Sequence, residues 1–401
     1  MLNKSHTAEF ESATIPMNRM LPGLHGLRGI AAVAIVLYHL AHLANVAVPT
    51  YFSFIASEFS YAVHLFFVLS AFSLMHSTEH TMHRTAWVNE YFIKRFFRIA
   101  PLYYAIMAGM ILWPVIIKSH AVAFDIPTIL LNLTFTFGFA PWSGIVWAGW
   151  TVGVEMLFYA IFPMLLLTVR STSGTFFLVI ISIVVAYAAR VSLHEHFAHT
   201  YSMYKYNWAY FSFASNICFF AMGMYAFRLA RPYKQASHNI QKIVPIFCLT
   251  LLGILLLTDL ENPLQKIWEA DLLLWGAGFA ALCIWQSDRP SLWSANWLFE
   301  YLGERSYSIY LLHPVVIVLL KGQIQWIYNA LVPHMGAYAY FVCALLLLMS
   351  LLAIAELTYR MIEIPGIHLG KMIITRTRVR KMHSEAAKKS AQQDTDRLHG
   401  A

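Results

Sequence analysis

The sequence predicts an all-α membrane protein built as a bundle of about ten transmembrane helices. Composition is the first observation: 59% of the 401 residues are hydrophobic and 12% are charged, against about 25% charged residues in a typical soluble domain. The second is that apolar runs recur along the whole chain. The third is a one-sided distribution of Lys and Arg between the segments that join these runs. A water-soluble protein of this length needs more charge to cover its surface, so composition argues against that class.

The length of each apolar run identifies the candidate spans. A bilayer core is crossed by about 20 apolar helical residues. Ten segments fit this length: 27–46, 59–77, 100–118, 148–169, 174–193, 208–229, 243–260, 268–287, 306–326 and 337–360. Residues 119–147 are also apolar, but Pro127, Gly138 and Pro141 interrupt them. We expect a re-entrant or interfacial element there.

The positive charges predict the orientation. An even number of spans places both termini on one side, and 23 of the 28 Lys and Arg residues fall on that side. Because short cytoplasmic loops are enriched in Lys and Arg, both termini are expected to be cytoplasmic. The formal net charge of +8 then reflects topology, and we expect no nucleic-acid partner.

Three regions follow from this pattern. Residues 1–26 form a polar cytoplasmic segment without the features of a cleavable signal peptide, 27–370 form the membrane domain, and 371–401 form a basic cytoplasmic tail. The four cysteines lie in apolar runs without the spacing of metal ligands. We therefore expect no metal site.

The first span carries a cation and an imidazole in the stretch "LRGIAAVAIVLYHL". Arg28 and His39 are 11 residues apart, so they lie on nearly the same helix face, about 16 Å apart along the axis. We expect both side chains to face one shared cavity. Ionisable groups inside a span are costly and usually functional. The alternative is that Arg28 reaches the headgroups and His39 is hydrogen-bonded within the bundle.

A carboxylate in the fourth span falls at a depth comparable to His39. Glu155 in "WTVGVEMLFYAIFP" needs a partner, and we expect it to pair with His39 and orient the imidazole for proton abstraction. A structural ion pair with Arg190 is the alternative. His64, toward the same end of its span, faces either this cavity or the core.

A compact basic cluster precedes the third span in "YFIKRFFRIAPLYY". Arg95 and Arg98 are three residues apart and share a helix face, and Lys94 adjoins them. Two guanidinium groups can bind phosphates bidentately. The alternative is ordinary anchoring of a cytoplasmic loop.

The ninth span and the end of the tenth add further candidates. Ser306, Tyr310 and His313 lie in the first turns of the ninth span, with Tyr310 and His313 one helical turn apart. Each fits either a site or helix packing. Glu363 lies near Arg360, and a salt bridge at the helix end is the simpler interpretation for it.

Six stretches together resemble the acyltransferase 3 family of bacterial membrane acyltransferases, which includes O-antigen and exopolysaccharide O-acetylases. In order they are "LHGLRGIAAVAIVLYHL", "FFVLSAF", "KRFFRIAPLYY", "WTVGVEMLFYAIFP", "LGERSYSIYLLHP" and "IEIP". The resemblance implies an inner-membrane ten-helix bundle that transfers an acyl group, commonly acetyl, from cytoplasmic acyl-coenzyme A. The acceptor it implies is a hydroxyl of a cell-surface glycan or a lipid-linked saccharide.

The same resemblance implies site residues. Arg28, His39 and Glu155 match the catalytic positions, and Arg95 and Arg98 match the pair expected to bind acetyl-coenzyme A. We expect the neighbouring Lys94 to contribute to the same binding site. The chain departs from the family at His64, where an acidic residue is common, and at Ala71, where glycine is usual. Membrane lipids are the remaining expected partner. Direct transfer and an acyl-histidine intermediate both fit these residues.

Two functions of other classes are weighed against this one. A flippase or exporter of a glycan or lipid intermediate also needs polar residues inside the membrane, but it does not need an Arg pair at the cytoplasmic mouth. A sensor or structural membrane protein leaves the alignment of Arg28 and His39 unexplained.

Overall fold

The computed structural model describes residues 21–79, 81–83, 86–116, 124–200, 209–258 and 270–399. These residues are helical and include no strand. Eight stretches among them are long and apolar enough to cross a membrane. The last, Ser306–Arg380, contains two of the predicted spans, and the predicted span 268–287 falls on a further helix, Ala270–Asp288. The predicted all-α polytopic membrane fold is therefore confirmed.

Thirteen helices are labelled along the described chain. They are α1 (Pro22–Leu43), α2 (Ala62–Glu79), α3 (Trp87–Ile116), α4 (Ile126–Leu133), α5 (Trp150–Thr168), α6 (Thr172–Thr200), α7 (Phe213–Gln235), α8 (His238–Leu257), α9 (Ala270–Asp288), α10 (Trp297–Glu304), α11 (Ser306–Met335), α12 (Ala339–Thr358) and α13 (Ile364–His399). Short 3₁₀ turns join several of them, at Thr50–Ile55, Glu58–Tyr61, Thr136–Phe139, Pro141–Ser143, Trp147–Gly149 and Gly336–Tyr338. A π-helical turn, Tyr359–Glu363, links α12 to α13.

The ends of the predicted membrane domain differ from the helix ends. Helix α1 begins at Pro22, because proline is well suited to the first turn of a helix. Helix α13 continues without a break through residue 371, at which the sequence predicts the tail to begin. The predicted N-terminal segment lies outside the described residues as far as residue 20.

The segment between α3 and α5 does not form a membrane-crossing helix in its described part, which starts at residue 124. Helix α4 has eight residues and is about 12 Å long, against about 30 Å for a bilayer core. The chain then reverses at Phe135, which has a left-handed φ of 58°. Asn132 holds the reversal, because its side chain accepts from Tyr103 Oη at 2.6 Å and donates to the Ser143 carbonyl at 2.7 Å. This geometry agrees with the expected re-entrant element.

Glycines bring α1 unusually close to its neighbours. A Cβ on Gly29 would lie 2.6 Å from the Phe299 carbonyl oxygen and 2.8 Å from Leu302 Cβ of α10, closer than real Cβ contacts allow. Gly26, one turn earlier, lies against the backbone at Ser294 in the same way. Small residues permit such backbone contact between membrane helices. The position of α1, which carries both Arg28 and His39, therefore depends on this packing.

The remaining helices enclose a central group of α1, α2, α3, α5 and α11. Helix α7 packs behind α2, α6 and α9 pack on α7, and α8 packs on α9. Helix α12 packs on α11, and α13 packs on α3. Large apolar side chains project outward from the outer helices, as Phe247 and Leu257 do on α8, which suits contact with lipid.

Gly29→Leu should destabilise the protein by about 1–3 kcal/mol, as overpacking of a close contact usually does. The side chain has no room against α10, so α1 must shift. Thermal unfolding in detergent micelles, followed by the loss of the monodisperse peak, measures the effect. Gly253→Leu on α8 is the matched control, since no heavy atom lies within 4 Å of a Cβ there. Equal stability of the two variants would contradict the packing argument.

Candidate active site

A polar cavity of about 80 Å³ lies within the central group of helices. Each of the five helices contributes to its wall. The polar side chains that line it are Arg28 of α1, Ser70 of α2, Arg95 and Arg98 of α3, Thr151, Glu155 and Tyr159 of α5, and Ser306, Tyr307 and Tyr310 of α11. The structure thus brings together six residues that the sequence singles out from four separate stretches: Arg28, Arg95, Arg98, Glu155, Ser306 and Tyr310.

The cavity carries an excess of positive charge. Three guanidinium groups, those of Arg28, Arg95 and Arg98, face a single carboxylate, that of Glu155. Neither Arg28 nor Arg98 has a hydrogen bond or ion pair with any residue that the structure describes. Among the described residues, Arg95 donates a single hydrogen bond, to Ser77 Oγ, and at 3.5 Å it is long. The buried Nε of Arg95 has no hydrogen-bond partner among those residues. Several guanidinium donors are therefore available to an anionic ligand.

Glu155 is held by two hydroxyl groups. Ser70 Oγ and Tyr159 Oη both donate to Glu155 Oε1, and the two hydroxyls lie 2.9 Å apart. Tyr159 is one helical turn beyond Glu155 on α5, and the Arg95 guanidinium lies 5.7 Å from its ring centre. This arrangement fixes the carboxylate in the wall of the cavity, next to the cations.

The expected pair of Glu155 and His39 does not form. Glu155 bonds to Ser70 and Tyr159, and His39 bonds instead to His313, whose Nε2 lies 3.0 Å from His39 Nδ1. The physical reason is that the two hydroxyls lie close to the carboxylate, whereas His39 lies beside α11. The alternative partner Arg190 is also excluded, because it donates to the Ser215 carbonyl at 2.8 Å, away from Glu155.

His39 does not line the cavity that Arg28 lines. The expectation that both face one shared cavity is therefore wrong for the described structure. His39 is partly exposed, and its ring lies 5.2 Å from the ring of Trp147 and 4.9 Å from that of His313. Tyr310 connects the two places, since it lines the cavity and its ring lies 5.5 Å from the His313 ring.

Two of the residues that the sequence singles out, Lys94 and Glu363, lie outside the cavity. Lys94 faces away from it and pairs with Glu90 at 3.9 Å, and Glu90 also binds Arg378 of α13 at 2.5 Å. Glu363 is buried and accepts a hydrogen bond from Ser308 Oγ. The simpler interpretation of Glu363, a salt bridge with Arg360, is wrong, because Arg360 pairs with Glu356.

His64 lies on another face of α2. Its ring packs 4.3 Å from the ring of Phe219 on α7 and 5.8 Å from that of Tyr61. It does not line the cavity. The structure therefore separates His64 from Glu155 and His39, in agreement with the core alternative for this residue.

Two residues that hold Glu155, Tyr159 and Ser70, are missing from the sequence candidates, and the contact of Trp147 with His39 is not predicted either. Tyr159 could have been found from its spacing, because it lies one helical turn after Glu155. Ser70 is 85 residues from Glu155, and Trp147 is far from His39 in the chain. No local pattern links either of these two to its partner.

A comparison with protein families identifies the fold and its chemistry. The acyltransferase 3 family model, described as an acyltransferase domain, matches residues 21–354. Among curated proteins and solved structures there is no significant match to the chain. The matched region includes the arginine-lined cavity and both histidines of the His39–His313 pair. The chain therefore belongs to the acyltransferase 3 family and is an integral membrane acyltransferase.

Proposed function

We propose that this acyltransferase moves an acetyl group from acetyl-coenzyme A to a hydroxyl of a cell-surface glycan or lipid-linked saccharide. In this proposal the donor binds at the cytoplasmic face of the bacterial inner membrane, where both termini lie. The observation that carries it is the cavity in which three arginines face one carboxylate. Such an excess of cations inside a membrane domain is costly unless an anion is bound.

The donor matches the cationic cavity by charge. Coenzyme A carries several phosphate groups, and guanidinium pairs bind phosphates through paired hydrogen bonds. Arg95 and Arg98 hold the phosphates in the proposal, and Arg28 guides the pantetheine arm toward the interior. Lys94, which pairs with Glu90, is not included in the phosphate site. Glu155 keeps Tyr159 and Ser70 in place along the path and does not orient the base.

The chemistry is assigned to His39. His39 takes the proton of the acceptor hydroxyl as the hydroxyl oxygen attacks the thioester carbonyl carbon, and the carbon–sulfur bond then breaks. The proton returns from His39 to the sulfur of coenzyme A. In the alternative route, His39 itself attacks the thioester carbonyl carbon, the carbon–sulfur bond breaks and coenzyme A leaves as its thiolate. The acceptor hydroxyl then takes the acetyl group from the imidazole and gives its proton to that thiolate. Both routes need the thioester to pass Tyr310, which lies between the cavity and the His39–His313 pair.

The surroundings of His39 favour a carbohydrate acceptor. The ring of Trp147 lies beside His39, and Trp147 as a residue is 51% exposed. An exposed indole offers an apolar face with a polar edge, which suits a ligand that has both characters. A sugar ring stacked on Trp147 would present its hydroxyls near His39.

His39→Ala should abolish transfer, lowering the rate at least about 100-fold by the usual range for general-base catalysis. Membranes from the producing strain supply the acceptor, and incorporation of label from radiolabelled acetyl-coenzyme A into glycan and lipid fractions is measured. His42→Ala is the matched control on the same helix, because His42 makes a similar bond to the carbonyl four residues before it, at 2.8 Å, but is exposed. Label that does not depend on His39 would favour the exporter over the enzyme.

Replacing Arg95 and Arg98 by Gln should raise the KM for acetyl-coenzyme A by about tenfold or more, because each charge-assisted hydrogen bond contributes about 1.5–3 kcal/mol. The kcat at saturating donor should change much less, since neither side chain lies at His39. Initial rates over a range of donor concentrations separate the two constants. Arg170→Gln, an exposed arginine on the α5–α6 loop, should leave both unchanged. An unaltered KM in the double variant would remove the donor site from this cavity.

Deletion of the protein should remove an acetyl group from a surface glycan. Mass spectrometry of lipopolysaccharide and exopolysaccharide from the parent and the deletion strain should show the loss of one acetyl mass increment. Complementation with the wild-type chain should restore it, and complementation with His39→Ala should not. Identical glycan masses in all strains would exclude surface glycans and direct the search to lipid-linked acceptors.

A further inference from the structure

We infer that His313 is a positioning residue that sets the tautomer and ring orientation of His39, and that Pro314 makes this arrangement possible. The inference rests on the proposed function in that His39 is taken as the reacting group. It is carried by hydrogen-bond geometry on α1 and α11.

The first step concerns His313. Its Nδ1 lies 2.5 Å from the carbonyl oxygen of Tyr310. A carbonyl oxygen only accepts hydrogen bonds, so His313 Nδ1 carries the proton and donates it. In the neutral ring the other nitrogen, Nε2, is then a bare acceptor. The Tyr310 carbonyl thereby fixes the tautomer of His313.

Pro314 explains why that carbonyl is free to accept. In a regular helix the carbonyl of residue 310 would accept from the backbone N–H of residue 314. Pro314 has no N–H, and it lies inside α11. The Tyr310 carbonyl has thus lost its usual donor, and the side chain of His313 replaces it. His313 is completely buried, so a bond to this carbonyl also satisfies its buried nitrogen.

The second step concerns His39. Its Nδ1 lies 3.0 Å from the Ile35 carbonyl oxygen and 3.0 Å from His313 Nε2. Both neighbours are acceptors, so His39 Nδ1 carries the proton and shares it between them. The Nε2 atom of His39 is therefore bare. It has no hydrogen bond to any residue that the structure describes, and it is the atom available to take a proton or to attack the thioester.

The chain of bonds also supports the charged form of His39. When His39 Nε2 takes a proton, its ring becomes an imidazolium and its Nδ1–H becomes a stronger donor. His313 Nε2 accepts that bond without itself carrying a charge. A bond to a charged donor is stronger than one between neutral groups, so His313 stabilises the protonated state through which the reaction passes.

Substitutions of His313 separate its role as a hydrogen-bond acceptor for His39 from a role in packing. His313→Gln keeps an amide oxygen near the position of Nε2, His313→Asn keeps a donor only near Nδ1, and His313→Leu keeps neither. With acetyl-coenzyme A varied over native membranes, Leu and Asn should lower kcat by about 10–100-fold, the range for a lost bond to a charged group. Gln should restore part of the loss, and the donor KM should stay unchanged in all three.

Pro314→Ala tests whether Pro314 is the reason that the Tyr310 carbonyl can accept from His313. Alanine restores the backbone N–H of residue 314, which then competes with His313 for the Tyr310 carbonyl. We expect a lower kcat although the helix becomes more regular. Pro333→Ala, the second proline inside α11, is the matched control and should leave kcat unchanged.

The tautomer of His39 can also be measured directly, without enzyme turnover. In proteoliposomes of protein labelled with ¹⁵N-histidine, the His39 resonances are those lost in His39→Gln. His39 Nδ1 should appear protonated and Nε2 bare, and the Nδ1 resonance should move in His313→Leu. Unchanged His39 resonances and a kcat within about twofold of wild type in the 313 variants would overturn the inference. Transfer that persists in His39→Ala would instead overturn the proposed function.

Discussion

A charged side chain inside a helix bundle needs a partner or water, and this constraint decides where the charged groups of this protein lie. Most of them meet it within the chain. Arg305 binds Glu356 and Glu304 and lies 3.6 Å from the centre of the Tyr301 ring, and Glu363 is buried against the Ser308 hydroxyl. The cavity of Arg28, Arg95 and Arg98 is different, because its cations outnumber its carboxylate. That imbalance is the reason for proposing that the cavity binds an anion.

Helix α1 links the proposed anion site to the proposed base. Arg28 lies in the cavity, and His39 lies about 16 Å further along the same helix, beside α11. Both side chains belong to one helix, so its backbone sets the distance between them. The contact of Gly29 with α10 holds that helix in place. A donor with a charged head and a long arm can satisfy both ends at once. A small anion could bind at Arg28 but would not reach His39.

The sequence predicts the helices and the members of the cavity better than it predicts their pairings. Apolar length identifies the spans, and the cost of an ionised group in a span singles out Arg28 and Glu155. Pairing depends on contacts between residues far apart in the chain, such as Ser70 with Glu155 and His313 with His39, 274 residues apart. Similar depth in the membrane suggests Glu155 as the partner of His39. Depth alone, however, does not say which face of α5 turns toward α1.

The choice of a second imidazole as the partner of His39 follows from the same constraint. A carboxylate beside His39 would carry an unpaired charge whenever the imidazole is neutral. His313 accepts the same hydrogen bond at no net charge, and its own donor is satisfied by the Tyr310 carbonyl that Pro314 leaves free. The carboxylate of Glu155 lies instead among the arginines, where its charge is offset at all times. The two polar groups thus occupy the places where each is least costly, and in the proposed function this separates donor binding from proton transfer.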